Sequence, residues 1–371
     1  MPASSGAIAP FLRDDGDGVL ATWLEPASGG AHRLRVARWQ GAAWSAPTTI
    51  TESAAIVANW ADVPTIGRAG DGALVASWAE ARASSGAYDA LVARSIDGDA
   101  SWNPLGALHA DRTPAEHGFV SMAPDGSDLR VFWLDGRDTG RAGGATALRT
   151  ALVGTAIVRE AVVDDRVCDC CATAAAATDA APIVVFRDRS EREIRDIAVA
   201  RAAGEAWTAG SVDSDGWEIS GCPVNGPATA ARGRVVAVAW YTRAHDSQRV
   251  RAAVSTDSGN RFTSASDVDA LAGDRAPVGR VGVVLADDGT AIVSWVAATH
   301  EHATLLVRRI DPTGRRSAEL AIARVAAGPA GGVPRMARAG SELVFVWTEP
   351  TVPSGLRGAR VPLSSVPAID R

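Results

Sequence analysis

All four cysteines of this 371-residue chain fall in two short segments, Arg-Val-Cys-Asp-Cys-Cys at 166–171 and Ser-Gly-Cys-Pro at 220–223. Two kinds of chemistry suit such a cluster. Thiolates beside an imidazole fit a soft or borderline ion, Cu or Zn. The same thiols in an oxidising compartment form bridges. In the metal reading Cys168, Cys170, Cys171 and Cys222 are the sulfur donors, His117 completes the set, and Glu116 orients that imidazole. In the bridge reading Cys168 joins Cys222, and Cys170 and Cys171 bond to each other or to a partner. On an extended strand Cys168 and Cys170 point one way and Cys171 the other, so at most three sulfurs share one ion. The spacing is not the Cys-x-x-Cys of zinc ligation.

What brings these residues together is a repeat running the length of the chain. A Gly or Asp turn, an apolar run and an aromatic anchor recur at Trp23, Trp78, Trp133, Phe186, Trp240, Trp295 and Trp347, spaced 55, 55, 53, 54, 55 and 52 residues. An acid often follows two residues after the anchor, as in TWLE, SWAE and FWLD. Alternating runs such as RLRVARW at 33–39 and RVRAAVS at 249–255 follow each anchor and predict strands with one face inward. Four short strands per unit predict an all-β, seven-bladed β-propeller occupying residues 1–371 as one domain. The last copy is short, and the N-terminal segment is expected to supply its outer strand.

Loops into the first strand and out of the second share one face of a propeller, around the central tunnel, where ligands gather. Cys168 lies 18 residues before Phe186, and Cys222 lies 18 before Trp240. Glu116 and His117 hold nearby places one blade earlier, and Trp60 and Asp62 one blade before that. The expected site is therefore the tunnel mouth, with Asp169, Asp135, Trp217 and Tyr241 as further ligand-binding residues. His32 and His109 are expected on outer loops, at the surface. Arg187, Arg189 and Arg243 are expected to pair with neighbouring acids.

A second motif marks the turns between third and fourth strands. Residues 255–262 read STDSGNRF, with Ser255, Asp257, Gly259 and Phe262 in the pattern Ser-x-Asp-x-Gly-x-x-aromatic. Residues 95–102 carry Ser95, Asp97 and Trp102 in the same places, with Asp99 where glycine is expected. DPTG at 311–314 is a weaker echo. The motif resembles the Asp-box, or bacterial neuraminidase repeat, of sialidase-like propellers. That resemblance implies a structural role on the face away from the active site. Membership also implies an arginine triad, a Tyr nucleophile with a Glu partner and an Asp acid/base. The Arg-Ile-Pro motif is missing, and the tyrosines are Tyr88, in a Ser/Gly-rich loop, and Tyr241, which follows an anchor and is the nucleophile if the chain is a sialidase. Those enzymes have six blades, the alternative architecture. The Cys-rich segments look like an exported bacterial subgroup of sialidase-like repeat proteins.

All 37 basic residues are arginine, which excludes lysine Schiff-base chemistry, PLP included, and a P-loop. No nucleotide cofactor is expected. Net charge is -6 with no basic block, against nucleic acid as a partner. No apolar run is long enough to span a membrane. The expected function is an exported, periplasmic or secreted protein binding a metal ion or small polar ligand. The alternatives are a sialidase-like glycoside hydrolase or glycan-binding protein, and a disulfide-stapled scaffold for a protein partner.

Overall fold

A computed structural model describes residues 1–82, 86–204 and 206–370. It consists of seven antiparallel sheets in chain order, six of four strands and a last of three. They form a seven-bladed propeller with short 3-10 turns as its helical structure. The inner strands begin at Ile8–Asp15, Thr65–Arg68, His117–Asp125, Ala174–Ala177, Ala228–Arg232, Ala276–Leu285 and Arg335–Ala339, which define blades 1 to 7.

The period-2 pattern explains why the anchors sit where they do. Trp23, Trp133, Trp240 and Trp295 are fully buried. Trp240 packs on Ile183 and Val185 of blade 4, and Trp295 on Ala237 and Ala239 of blade 5, so each indole fills the gap to a neighbouring blade. The acid two residues on lies on the same strand face and takes the indole N–H. Nε1 donates to Glu25 from Trp23 at 2.9 Å, to Glu80 from Trp78 at 3.0 Å and to Asp135 from Trp133 at 2.9 Å. In blades 5 and 6 that acceptor comes from outside the anchor strand, as Asp215 and Asp269. The recurring Trp-x-acid is thus a satisfied buried pair, which a lone indole N–H would need.

The turn motif is a local hydrogen-bond circuit. Ser255 Oγ donates to Asp257 at 2.8 Å while accepting Gly259 N–H at 3.0 Å, and Asp257 also accepts Arg261 N–H at 2.9 Å. Ser95 and Asp97 repeat it, with Asp99 at φ 82° in the glycine place. Phe262 packs beneath, against the core of blades 4 and 5.

Ring closure departs from expectation. Residues 1–7 add no strand to blade 7. Gly6 N–H instead bonds Ser354 O at 3.0 Å, and Met1 and Ala3 pack against the blade 7 core. The segment turns at Ser5–Gly6, where Gly6 takes φ 79°, before Ile8 opens the first strand. Arg338 N–H reaches Asp14 at 2.8 Å to tie blade 7 to blade 1.

Inner strands of blades 1, 3 and 6 break register at the same height, where Ala9, Phe119 and Arg280 take positive φ near 55°. Such bulges re-aim side chains at a rim. Here they shape the face that carries the site.

Candidate functional site

One opening on this face lies over blades 2 to 4. It is a depression of about 580 Å³. Its walls are Tyr88 at the start of blade 2's third strand, Glu116 and Phe119 on the approach to blade 3, Leu134 at the exit of its second strand, and Asp169 and Arg189 from blade 4. Of the residues expected at the tunnel mouth, Trp60 is not in this wall. Trp60 reaches across the ring to lie 5.6 Å under the Arg280 guanidinium of blade 6. Arg280 in turn donates to the carbonyls of Ala326 and Ala327. Trp60 therefore crosses the axis and is not part of the depression's wall.

Tyr88 carries more of this site than the sequence promised. It opens a strand, Tyr88–Ser95, instead of sitting in a loop; residues 83–85 of the Ser/Gly-rich stretch lie outside the described residues. Its phenol lies against Asp62, and a parallel bridge pairs its backbone with Glu116. Asp62 is buried and accepts Phe119 N–H, from the bulge, at 2.8 Å. Burial pushes the Asp62 carboxyl up to about 7 against that hydrogen bond, and Glu116 adds to the rise. Burial, then the charges of Asp62 and Glu116, hold the Tyr88 phenol protonated far above its ordinary range. Gly118 makes the contact possible, because a Cβ there would run into the Asp62 carboxyl and the Tyr88 ring. A carboxyl that holds a proton near neutrality, a phenol and a second carboxylate can donate, accept and shuttle protons.

The cysteines are joined as Cys168–Cys171 and Cys170–Cys222, with Cα separations of 5.6 and 6.3 Å. This differs from the expected Cys168–Cys222 pairing. Residues 168–171 form a turn, not a strand, so Cys168 folds back on Cys171 and Cys170 is free to reach the next blade. In this state the sulfurs present no thiolate to an ion. The turn holds Asp169 against Arg189 at 3.0 Å, and Arg189 also binds Glu193 at 2.8 Å.

His117 stands apart from the sulfurs. It faces His109, which is a second correction: His109 is buried, not at the surface. The two rings stack at 3.7 Å with 16° between planes, beside Asp89, Asp111 and Asp135. A signal for His109 existed, since it lies in the loop that leads into the blade 3 strand opened by His117. Asp89 and Tyr88 stand at the start of blade 2's third strand.

The remaining expected residues have structural partners. Asp135 holds the Trp133 indole and a bidentate Arg137 at 2.7 Å. Trp217 lies 4.8 Å under Arg187 and edge-on to Tyr241. Among the described residues Arg187 makes no ion pair of the kind expected. It is buried, and its N–H groups go to the carbonyls of Arg195, Asn225 and Tyr241. Burial raises the Tyr241 phenol, and no carboxylate stands beside it as Asp62 does beside Tyr88. Of the two tyrosines it is Tyr88 that meets the carboxyl pair.

No known family profile matches the chain, and no curated protein matches it. Solved structures do. AofleA from Arthrobotrys oligospora is similar at 12% identity, over 86% of this chain and 90% of that one, with a TM-score of 0.51. An α-L-arabinofuranosidase from Fusarium graminearum, solved with an iminosugar inhibitor, is similar at 11% identity over 82% and 94%, with a TM-score of 0.50. A Penicillium chrysogenum α-L-arabinanase complexed with arabinobiose is similar at 13% identity over 97% and 94%, with a TM-score of 0.49. Likeness at this identity establishes a shared propeller fold.

Proposed function

We propose that the depression over blades 2 to 4 binds a carbohydrate and that Asp62, Tyr88 and Glu116 are its reacting groups. The observation that carries this reading is their arrangement: Tyr88 and Glu116 line the opening, and the buried Asp62 carboxyl, with a pKa pushed up to about 7, lies behind them against the Tyr88 phenol. Glycoside cleavage uses a carboxyl pair of this kind, one member protonated and one ionised. Tyr88 and Phe119 give the aromatic faces on which sugar rings stack, and the volume suits a small-molecule site. The Fusarium enzyme with its iminosugar supplies a precedent for sugar chemistry on this fold and nothing finer.

The sugar is neutral in this reading. Arg189 is the guanidinium in the depression's wall, and Asp169 and Glu193 already saturate it. An acidic sugar would meet Glu116 and Asp169 with no free cation to receive its carboxylate. This argues against a sialidase and for neutral oligosaccharides. Two bridges suit an oxidising compartment, so the chain works in the periplasm or outside the cell. No helix is long and apolar enough to cross a membrane.

The test is calorimetric titration with neutral and sialylated oligosaccharides, alongside hydrolysis of chromogenic arabinofuranosides and sialosides. The expected result is saturable binding of a neutral sugar that falls at least tenfold in Glu116→Gln, with any hydrolysis lost in Tyr88→Phe. Preference for sialosides, or binding indifferent to Glu116→Gln and Tyr88→Phe, overturns the reading.

A further inference from the structure

Behind the pocket wall, strand alternation builds a second site. Tyr88 and Glu116 face the depression, so their neighbours Asp89 and His117 face away from it. There they meet His109. One ligand atom from each of Asp89, His109 and His117 lies within 4.8 Å of the others. His109 Nε2 is 3.2 Å from Asp89 Oδ1, and His117 Nδ1 is 3.6 Å from the same oxygen. Ligand atoms around a tetrahedral ion with bonds of about 2.0–2.1 Å are roughly 3.3 Å apart, so the spacing already suits a shared ion.

Two independent observations point to a ligand. First, both imidazole side chains are 0–1% exposed, and none of their four ring nitrogens has a hydrogen-bond partner of proper geometry. Buried polar atoms in that state call for an occupant. Second, the surroundings match what a metal-bound imidazole needs. His117 Nε2 lies 3.4 Å from Asp111 Oδ2 and 3.6 Å from Asp135 Oδ1, carboxylates placed to orient the ring while Nδ1 faces Asp89. Asp89 is itself oriented by Arg82, whose Nε reaches both carboxylate oxygens at 2.8 Å. Four carboxylates (Asp89, Asp111, Asp135 and Glu160) face three guanidiniums, Arg82, Arg137 and Arg149, here, which leaves the imidazole pair in a field that favours a cation.

We propose that Asp89 Oδ1, His109 Nε2 and His117 Nδ1 bind one divalent transition ion of the Zn(II) class, independently of the cysteines and of the carbohydrate reading. The ion ties the approach to blade 3 to the third strand of blade 2, the two segments that carry Glu116 and Tyr88. Two imidazoles and a carboxylate are a donor set for Zn(II), Co(II) or Ni(II), harder than the thiolate set the sequence suggested. Because the rings are stacked, their in-plane lone pairs must turn toward the shared point, and loading therefore opens the stack.

The test uses the full chain, free of any histidine tag and stripped with a chelator. Zn(II) is titrated calorimetrically, and Co(II) is followed by absorption. The expected result is one ion per chain with micromolar or tighter affinity. The cobalt spectrum should show d–d bands without thiolate charge transfer, unchanged in the Cys170→Ser/Cys222→Ser double variant. His109→Ala and His117→Ala should each weaken binding by 10–100-fold, with circular dichroism showing that the ring is intact. The wild type decides even if a variant fails to fold. Absence of saturable binding overturns the proposal, and so does a thiolate band, which would place the ion on sulfur.

Discussion

Replacing Asp62 by Asn should stabilise the fold at alkaline pH while removing the proposed chemistry. The Asp62 carboxyl stands near pKa 7 in the native chain because it is buried, against about 3.9 when unfolded. Between those values the native state holds a proton that the unfolded state has released. Stability contributed by this group is therefore highest below about pH 4, falls by about 1.4 kcal/mol per pH unit, and levels off above pH 7. The full penalty at pH 8 is about 4 kcal/mol, of which about 3 accrues above pH 5. Asn keeps an acceptor for Phe119 N–H and carries no charge. Asp164, pushed up to about 6 by burial, and Asp188, also raised by burial, add slopes of the same sign to both proteins, so they cancel in the comparison. The assay is denaturant unfolding of wild type and Asp62→Asn at pH 5, 6, 7 and 8. The variant should gain about 3 kcal/mol on the wild type between pH 5 and 8. Parallel stability curves for the two proteins would refute the buried, proton-holding carboxyl, and with it the acid assigned to the site.

Other outcomes follow from the same contacts. The Cys170–Cys222 bridge closes a span of 52 residues, so its loss should cost about 4 kcal/mol through the unfolded chain; Cys170→Ser, Cys222→Ser and the double variant should show equal losses in denaturant midpoint, not additive ones. Trp240→Ala removes a fully buried anchor between blades 4 and 5 and should destabilise by about 3–5 kcal/mol in the same assay. Asp257→Ala should cost about 1 kcal/mol, since it removes a turn acceptor on the opposite face, and calorimetry should show carbohydrate affinity unchanged. Gly118→Ala, in contrast, drives a methyl into Asp62 and Tyr88 and should abolish carbohydrate binding while leaving the far-ultraviolet spectrum of the ring in place.

The architecture was legible in the residues because a blade is a local object. Period-2 alternation and the Trp anchors follow from burying one strand face, and seven copies at one spacing dictate seven blades. The Ser-x-Asp-x-Gly turn closes its hydrogen bonds within a few residues, so its role could be read without a third dimension, whereas Asp135, expected to bind ligand, holds the indole of Trp133. Cys170 and Cys222, His117 and Glu116 stood out in the sequence because such residue types rarely cluster by chance. Their partners were not legible. Counting back from anchors assumed loops of equal shape, whereas a turn at 168–171 re-paired the cysteines and hid the next sulfur from its supposed counterpart. Alternation at Tyr88–Asp89 and Glu116–His117 divides one pair of segments between an open depression and a buried imidazole stack. Whether a side chain faces water or the interior depends on which neighbouring blade it meets. That is set by ring closure over distances of 50 residues and more, which only the folded chain decides.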